Sequence, residues 1–388
     1  MNCHERTAIA LNLGQPDRVP LFSCMEEQNQ IYEILGEQGS AVPLSLIQNG
    51  VTGALFKVAA PLANRLKWFQ REAEKFMAKK LEADIALGYD CSWLMYSAIF
   101  KLKGNRQSTD IWGKLYDMVA DPDGNVDTPM YREGLLTSPE KWDAWPHPDP
   151  EKFYKIVYRV FFDLQKRYGD QIYLMGSLFS GMWETVSQVM GLTAFSVTLR
   201  RNPEFVRRMI QYYERIYLAV IHATADAGMP AFVYSDDMGH KMGPQTSPRV
   251  LDEFFGPSLR RVTEEAHQRG LKIIIHSCGN VNQLLDLFVS WGFDGVHSLE
   301  PTAGIDLGQV KQRVGKRMCI FGNLDISQVM TYGTRQEVEE AVKAALRSAA
   351  QGGGFIMAMT NSHNAVKVEN SRWMIEFTNQ YGTYPLAL

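Results

Sequence analysis

The chain has 388 residues, 45% of them hydrophobic and 21% charged, with a formal net charge of −3. This is the composition of a globular protein with a large core, and the slight negative charge excludes the basic footprint of a nucleic-acid binder. No run of about 18 apolar residues is present, which excludes a membrane-spanning helix. The start MNCHERTAIALNLGQPDRVP lacks an apolar signal core, and the five cysteines (Cys3, Cys24, Cys91, Cys278, Cys319) form no CxxC pair. Both features predict a cytoplasmic protein with reduced thiols.

Taken in chain order, RVPLFS (18–23) and GYDCSWLM (88–95) are the first strand candidates. Segments 50–87 and 100–170 are less regular. The stretch VADPDGNVDTPMYREGLLTSPEKWDAWPHPDP (119–150), rich in Pro, Asp and Gly, predicts an irregular excursion between strands two and three. A long insertion at that place suits a lid or a partner-docking element. From residue 170 the pattern becomes regular. Strands are predicted at IYLMGS (172–177), AFVYSDD (231–237), LKIIIHS (271–277), DGVHSLE (294–300), MCIFGN (318–323) and GFIMAMT (354–360). Helices alternate with them. In the helix 202–228, Asn202 caps, Pro203 opens and Gly228 stops. The helix 247–270 is interrupted at Gly256-Pro257.

Strands that read as continuous apolar runs between helices imply a parallel sheet covered on both faces. Eight of them, each with its helix, predict a (β/α)8 TIM barrel, as one domain over residues 1–388. An open doubly wound sheet is disfavoured, because no GxGxxG turn follows any strand.

In such a barrel the C-terminal strand ends carry the chemistry. Here they hold Asp236 and Asp237, His276 and Cys278, Glu300, Asn323, Asn361 and His363. Residues i and i+2 of a strand face the same way. His276 and Cys278 therefore share a side, with Gly279 free to turn the chain behind them. Imidazole and thiolate together suit zinc. A third ligand is available in His363, and Asp237 or Glu300 offers a carboxylate. From spacing alone, a metal site and a merely packed His–Cys pair remain equally open. Asp236 and Asp237 are adjacent, so in an extended strand only one faces the mouth, and either can cap a helix. Among the other histidines, only His240 is placed near the rim; His297, in a strand interior, is given no role.

Four stretches carry a resemblance: SDDMGHKMGPQTSPRVLDEFFGPSLRRV, IIIHSCGNVNQLLDLFVSWGFDGVHSLEP, GKRMCIFGNLDISQVMTYGTRQEVEEAV and GGGFIMAMTNSHNAVKVEN. Together they resemble the uroporphyrinogen decarboxylase superfamily, and within it the cobalamin-dependent methyltransferases. The resemblance implies a (β/α)8 barrel with His276 and Cys278 as zinc ligands. The second cysteine ligand of those methyltransferases, in a Gly-Cys step after the last strand, is replaced here by Ser362-His363. Either His363 completes the zinc site or zinc is not bound. The arginine-rich motif that the decarboxylases carry after the first strand is also missing. LFSCMEEQNQIYE has Glu26 and Glu27 there instead.

The resemblance implies a methyltransferase that moves a methyl group between a small-molecule donor or thiol acceptor and cobalamin carried by a partner corrinoid protein. This chain has no DxHxxG corrinoid motif of its own. Asp237 and Glu300 are the catalytic carboxylates expected. Phe179, Trp183, Tyr234, Asn323 and Asp236 are expected to line a pocket for an apolar donor such as a methoxyaromatic, as in an O-demethylase component. The alternative is a tetrapyrrole decarboxylase that works without metal.

Overall fold

The computed structural model describes residues 1–25, 27–37, 68–97, 101–103, 107–120 and 127–386. Glu26 and the first part of segment 50–87 lie outside them. The strands run in chain order as β1 (Phe22–Ser23), β2 (Cys91–Tyr96), β3 (Lys101–Lys103), β4 (Gln107–Thr109), β5 (Lys114–Ala120), β6 (Asp127–Gly134), β7 (Tyr173–Leu178), β8 (Ala231–Ser235), β9 (Gly239–His240), β10 (Gly243–Pro244), β11 (Lys272–Ser277), β12 (Gly295–Ser298), β13 (Cys319–Leu324) and β14 (Phe355–Met359). Eight of them form one parallel sheet in the order β1-β2-β7-β8-β11-β12-β13-β14. A parallel bridge between Leu21 and Met357, with Met357 N–H donating to Pro20 O at 2.8 Å, returns β14 to β1 and closes the ring. The expected TIM barrel is present, with all eight strands at their predicted places.

The strands are buried on both faces, as their unbroken apolar runs require; Ile273, Ile274 and Ile275 are all fully buried. Helix ends follow local chemistry. Asn202 accepts from Phe205 N–H, Pro203 occupies the first turn, and Gly228 turns out of the helix Pro203–Asp226 at φ +80°. The helix predicted over 247–270 breaks at Phe255 into Pro248–Phe254 and Gly256–Gln268. Among the described residues no helix is long and apolar enough to cross a membrane.

The N-terminal face is clamped by charge. Asp90 accepts from Leu21 N–H at 2.9 Å and pairs with Arg6 at 2.6 Å and Arg18 at 2.7 Å, holding the two-residue β1 against β2. Arg6 reaches on to Asp17 at 2.7 Å and holds that carboxyl well below the usual range.

The excursion differs from its expected irregularity. Residues Pro150–Tyr168 form a regular barrel helix, capped by Asp149 and with Phe153, Val157, Val160, Phe161 and Leu164 buried at helical spacing. Ahead of it, β3, β4, β5 and β6 form an antiparallel sheet. Asp110 and Gly113 make the turn between β4 and β5, with Asp110 accepting from Gly113 N–H at 2.9 Å and Gly113 at φ +103°, and a count of breakers alone cannot distinguish turns in a sheet from a loop. The sheet is seated on the helix Met182–Met190, which follows β7. Leu136 N–H donates to Val189 O at 2.8 Å and Tyr131 Oη to Gln188 O at 2.7 Å. A Cβ on Gly134 would lie 2.2 Å from Gln188 O, so only glycine allows this approach.

Gly134→Ala is therefore expected to cost about 1–3 kcal/mol through overpacking, read as a lower midpoint in thermal or urea unfolding. The Asp17 contribution is complete above the unfolded carboxyl value near pH 4 and shrinks as the pH falls below it. Asp17→Asn should thus lower the melting temperature at pH 7 and have a smaller effect at pH 3.

Candidate metal centre

Two carboxylates follow β8, and the turn gives them separate tasks. Asp236 is fully buried and caps the helix Met182–Met190. Its Oδ2 accepts from Trp183 N–H at 2.9 Å and its Oδ1 from Glu184 N–H at 2.8 Å. Tyr234 Oη accepts from Met182 N–H at 2.7 Å and lies 3.1 Å from Asp236 Oδ2. Gly181 leaves the room for this, since a Cβ there would stand 2.1 Å from Asp236 Cγ. Burial raises the Asp236 carboxyl to about 8, while the two N–H donors pull it back.

Asp237 turns the other way, into the mouth. Its Oδ1 accepts from Cys278 N–H at 2.8 Å and lies 3.8 Å from His276 Nε2. His276 Nε2 is 3.5 Å from Cys278 Sγ. The donor atoms of Asp237, His276 and Cys278 thus all fall within 4.8 Å of one another. The backbone is built for this convergence. Gly279 has φ +80°, and a Cβ on it would meet Gly239 C at 2.6 Å, so the turns after β8 and β11 touch directly. Glu300 Oε1 accepts from Gly279 N–H at 3.0 Å. Glu300 is delivered by Leu299, a non-glycine residue at φ +61°.

The sequence offered His363 as third donor, and the structure does not bring it to the pair. His363 is exposed, with Nδ1 accepting from Ala365 N–H at 3.1 Å. Asn361, from the same turn, takes the place above the sulfur: its Nδ2 donates to Cys278 Sγ at 3.0 Å. Strand β14 ends at Met359, so a residue two positions nearer the strand reaches the mouth while His363 is carried outward.

The expected pocket residues divide in the same way. Trp183 and Tyr234 lie beneath the mouth in the core, Trp183 edge-on to Phe195 and Phe255 and Tyr234 tilted against Tyr217. Asn323 ties β13 to Leu299 O at 2.8 Å through its Nδ2. Phe179 remains partly open, with Lys114 Nζ 5.6 Å from its ring centroid.

Three contributors were not foreseen. Lys114 comes from the inserted sheet; its buried Nζ donates to Ser180 Oγ at 2.8 Å. Glu184, held up by burial, is drawn down by Lys114 and pushed up by Asp237. His297 Nδ1 lies 2.6 Å from His276 Nδ1. The signal for His297 was present: HS closes both β11 and β12, and parallel register pairs His276 with His297 and Ser277 with Ser298.

The electrostatics favour a cation. Burial, then Asp237 and Glu300, push the Cys278 thiol well above its ordinary value. Desolvation, then Glu300, raises Asp237, although Cys278 N–H pulls it down. Burial lowers His276 to about 4, so its imidazole is neutral near pH 7. One neutral nitrogen, one sulfur and one carboxylate oxygen are a donor set of the kind that holds zinc while leaving a position for substrate.

The chain matches the family described as Uroporphyrinogen decarboxylase (URO-D) over residues 119–381. It belongs to the uroporphyrinogen decarboxylase family. Curated relatives of this family member include the uroporphyrinogen decarboxylase of Pseudoalteromonas atlantica, 23% identical over 254 residues, which are 63% of this chain and 69% of that protein. The enzyme of the same name from Alkalilimnicola ehrlichii is 25% identical over 243 residues, 61% of this chain and 64% of that one. Among solved structures, a methyltransferase from Methanosarcina mazei superposes with a TM-score of 0.66 at 16% identity, covering 98% of this chain and 99% of its own. That likeness establishes a common fold.

Replacing Asp236 by alanine should leave the Trp183 and Glu184 N–H groups unpaired and cost about 1–2 kcal/mol of stability, measured by chemical denaturation.

Proposed function

We propose that this uroporphyrinogen decarboxylase family member is a zinc-assisted methyltransferase. It moves a methyl group between a small-molecule donor or thiol acceptor and the cobalamin of a partner corrinoid protein. The observation that carries the proposal is the convergence of His276 Nε2, Cys278 Sγ and an Asp237 oxygen within 4.8 Å at the barrel mouth. Zinc held there would supply a Lewis acid for the heteroatom that gives up or accepts the methyl group.

The chain's own residues prepare the place. His276 presents an unprotonated nitrogen, and Asp237 holds the Cys278 backbone so that sulfur and imidazole stay together. Asn361 steadies the sulfur from above. Glu300, by accepting from Gly279 N–H, braces the turn that carries them. Phe179 offers an apolar face to a methyl donor. Asp236, Trp183, Tyr234 and Asn323 act beneath, by shaping the loops that form the pocket.

The second reading, a tetrapyrrole decarboxylase, is favoured by the names of the curated relatives. Against it stands the charge of the mouth. Asp237, Glu300 and Glu184 are carboxyl groups and not the cations that would hold a polycarboxylate, and Lys114 is fully buried.

Metal analysis of the purified protein should find near-stoichiometric zinc, lost in Cys278→Ala. With the metal present, methylcobalamin mixed with a thiol should be demethylated faster than without protein, and the variant should be inactive. Absence of metal from the native protein, or release of carbon dioxide from uroporphyrinogen, would overturn the proposal.

A further inference from the structure

His297 lies one strand away from the donor cluster and touches none of its outer atoms. It is fully buried in β12, boxed by Phe22 at 5.2 Å, Trp93 at 6.1 Å and Phe321 at 6.5 Å between ring centroids. Its Nε2 is 2.8 Å from the backbone oxygen of Met359. A carbonyl only accepts, so that nitrogen carries the proton. Its Nδ1 is 2.6 Å from His276 Nδ1, and a single proton lies between the two. Among the described residues no carboxylate hydrogen-bonds to His297, and an imidazolium in this aromatic box would be an unpaired buried charge. His297 Nδ1 is therefore a lone pair, and the shared proton sits on His276 Nδ1. The remaining His276 nitrogen, Nε2, then has no proton. It is this nitrogen that lies 3.5 Å from Cys278 Sγ and 3.8 Å from Asp237.

We propose that His297 is a positioning residue: the chain Met359 carbonyl–His297–His276 fixes the His276 tautomer and ring orientation so that the Nε2 lone pair faces Cys278 and Asp237. The idea rests on the metal-binding part of the function proposed above. It assigns the orienting role, usually taken by a carboxylate or a carbonyl, to a second histidine that relays a backbone carbonyl from β14, two strands further round the ring.

Two measurements test it. In chelator-treated wild-type protein labelled with ¹⁵N-histidine, two-bond proton–nitrogen correlation spectra should show His276 protonated at Nδ1 and His297 at Nε2, with assignments taken from His276→Gln and His297→Asn. A proton on His276 Nε2 would overturn the proposal, and this readout needs no zinc. Zinc affinity is then measured by competition with a chromophoric chelator. His297→Phe keeps the ring volume and removes the acceptor, and should weaken zinc binding about 10–100-fold. His297→Asn, whose Oδ1 can stand where Nδ1 stood, should stay within a few-fold of wild type. Equal losses in both variants, or none in His297→Phe, would refute the positioning role. If wild-type protein binds no zinc, the methyltransferase reading fails by itself, and the tautomer spectrum still decides the role of His297.

Discussion

Parallel pairing in a fixed register sets every distance at the mouth of this barrel. Strand β11 runs between β8 and β12, with His276 level with Ser235 on one side and His297 on the other. A slip of one residue would turn all same-face side chains to the opposite face. The closed ring leaves no room for such a slip, because each strand is hydrogen-bonded on both edges and buried on both faces. The imidazole pair, the backbone contact of Asp237 with Cys278 and the touching glycines 239 and 279 all follow from that alignment.

The charges around the cluster are arranged with equal economy. Asp236 and Asp237 are neighbours in sequence, yet one is absorbed by a helix N-terminus and the other opens to the mouth. Without that division two carboxylates would compete for one space. Asp237 and Glu300 stand beside the buried thiol and resist its ionisation, so a neighbouring cation would change its character most. The inserted sheet adds a buried counter-charge, Lys114, held by the turn after β7. The excursion is thus joined to the site through the helix that Asp236 caps.

The resemblance read from the sequence implied two chemistries, and this chain departs from both patterns. It lacks the second cysteine after the last strand and the arginines after the first. The third member of the candidate metal cluster comes from the end of β8, in Asp237. An amide, Asn361, stands over the sulfur, just ahead of the Ser362-His363 step that was expected to offer a ligand. A carboxylate in place of a thiolate makes a harder donor set with the same formal charge.

The eight strands, their helices and the His276–Cys278 pair could be read directly from the chain. Apolar runs, helix caps and the i, i+2 alternation are local properties, determined by a few neighbouring residues. The inserted sheet was hidden because turn-forming residues look alike in loops and hairpins. The identity of the third donor was hidden for a different reason. His363, Asp237, Glu300 and Asn361 all follow strand ends, and only the direction of each turn, decided by contacts with neighbouring strands, selects among them. The same holds for His297. Its type and position were visible, but its value comes from lying 2.6 Å from a residue 21 places earlier. Sequence alone determined which groups follow the strand ends; tertiary packing decided which of them turn into the mouth and meet, because distances between strands are properties of the closed ring and not of any segment.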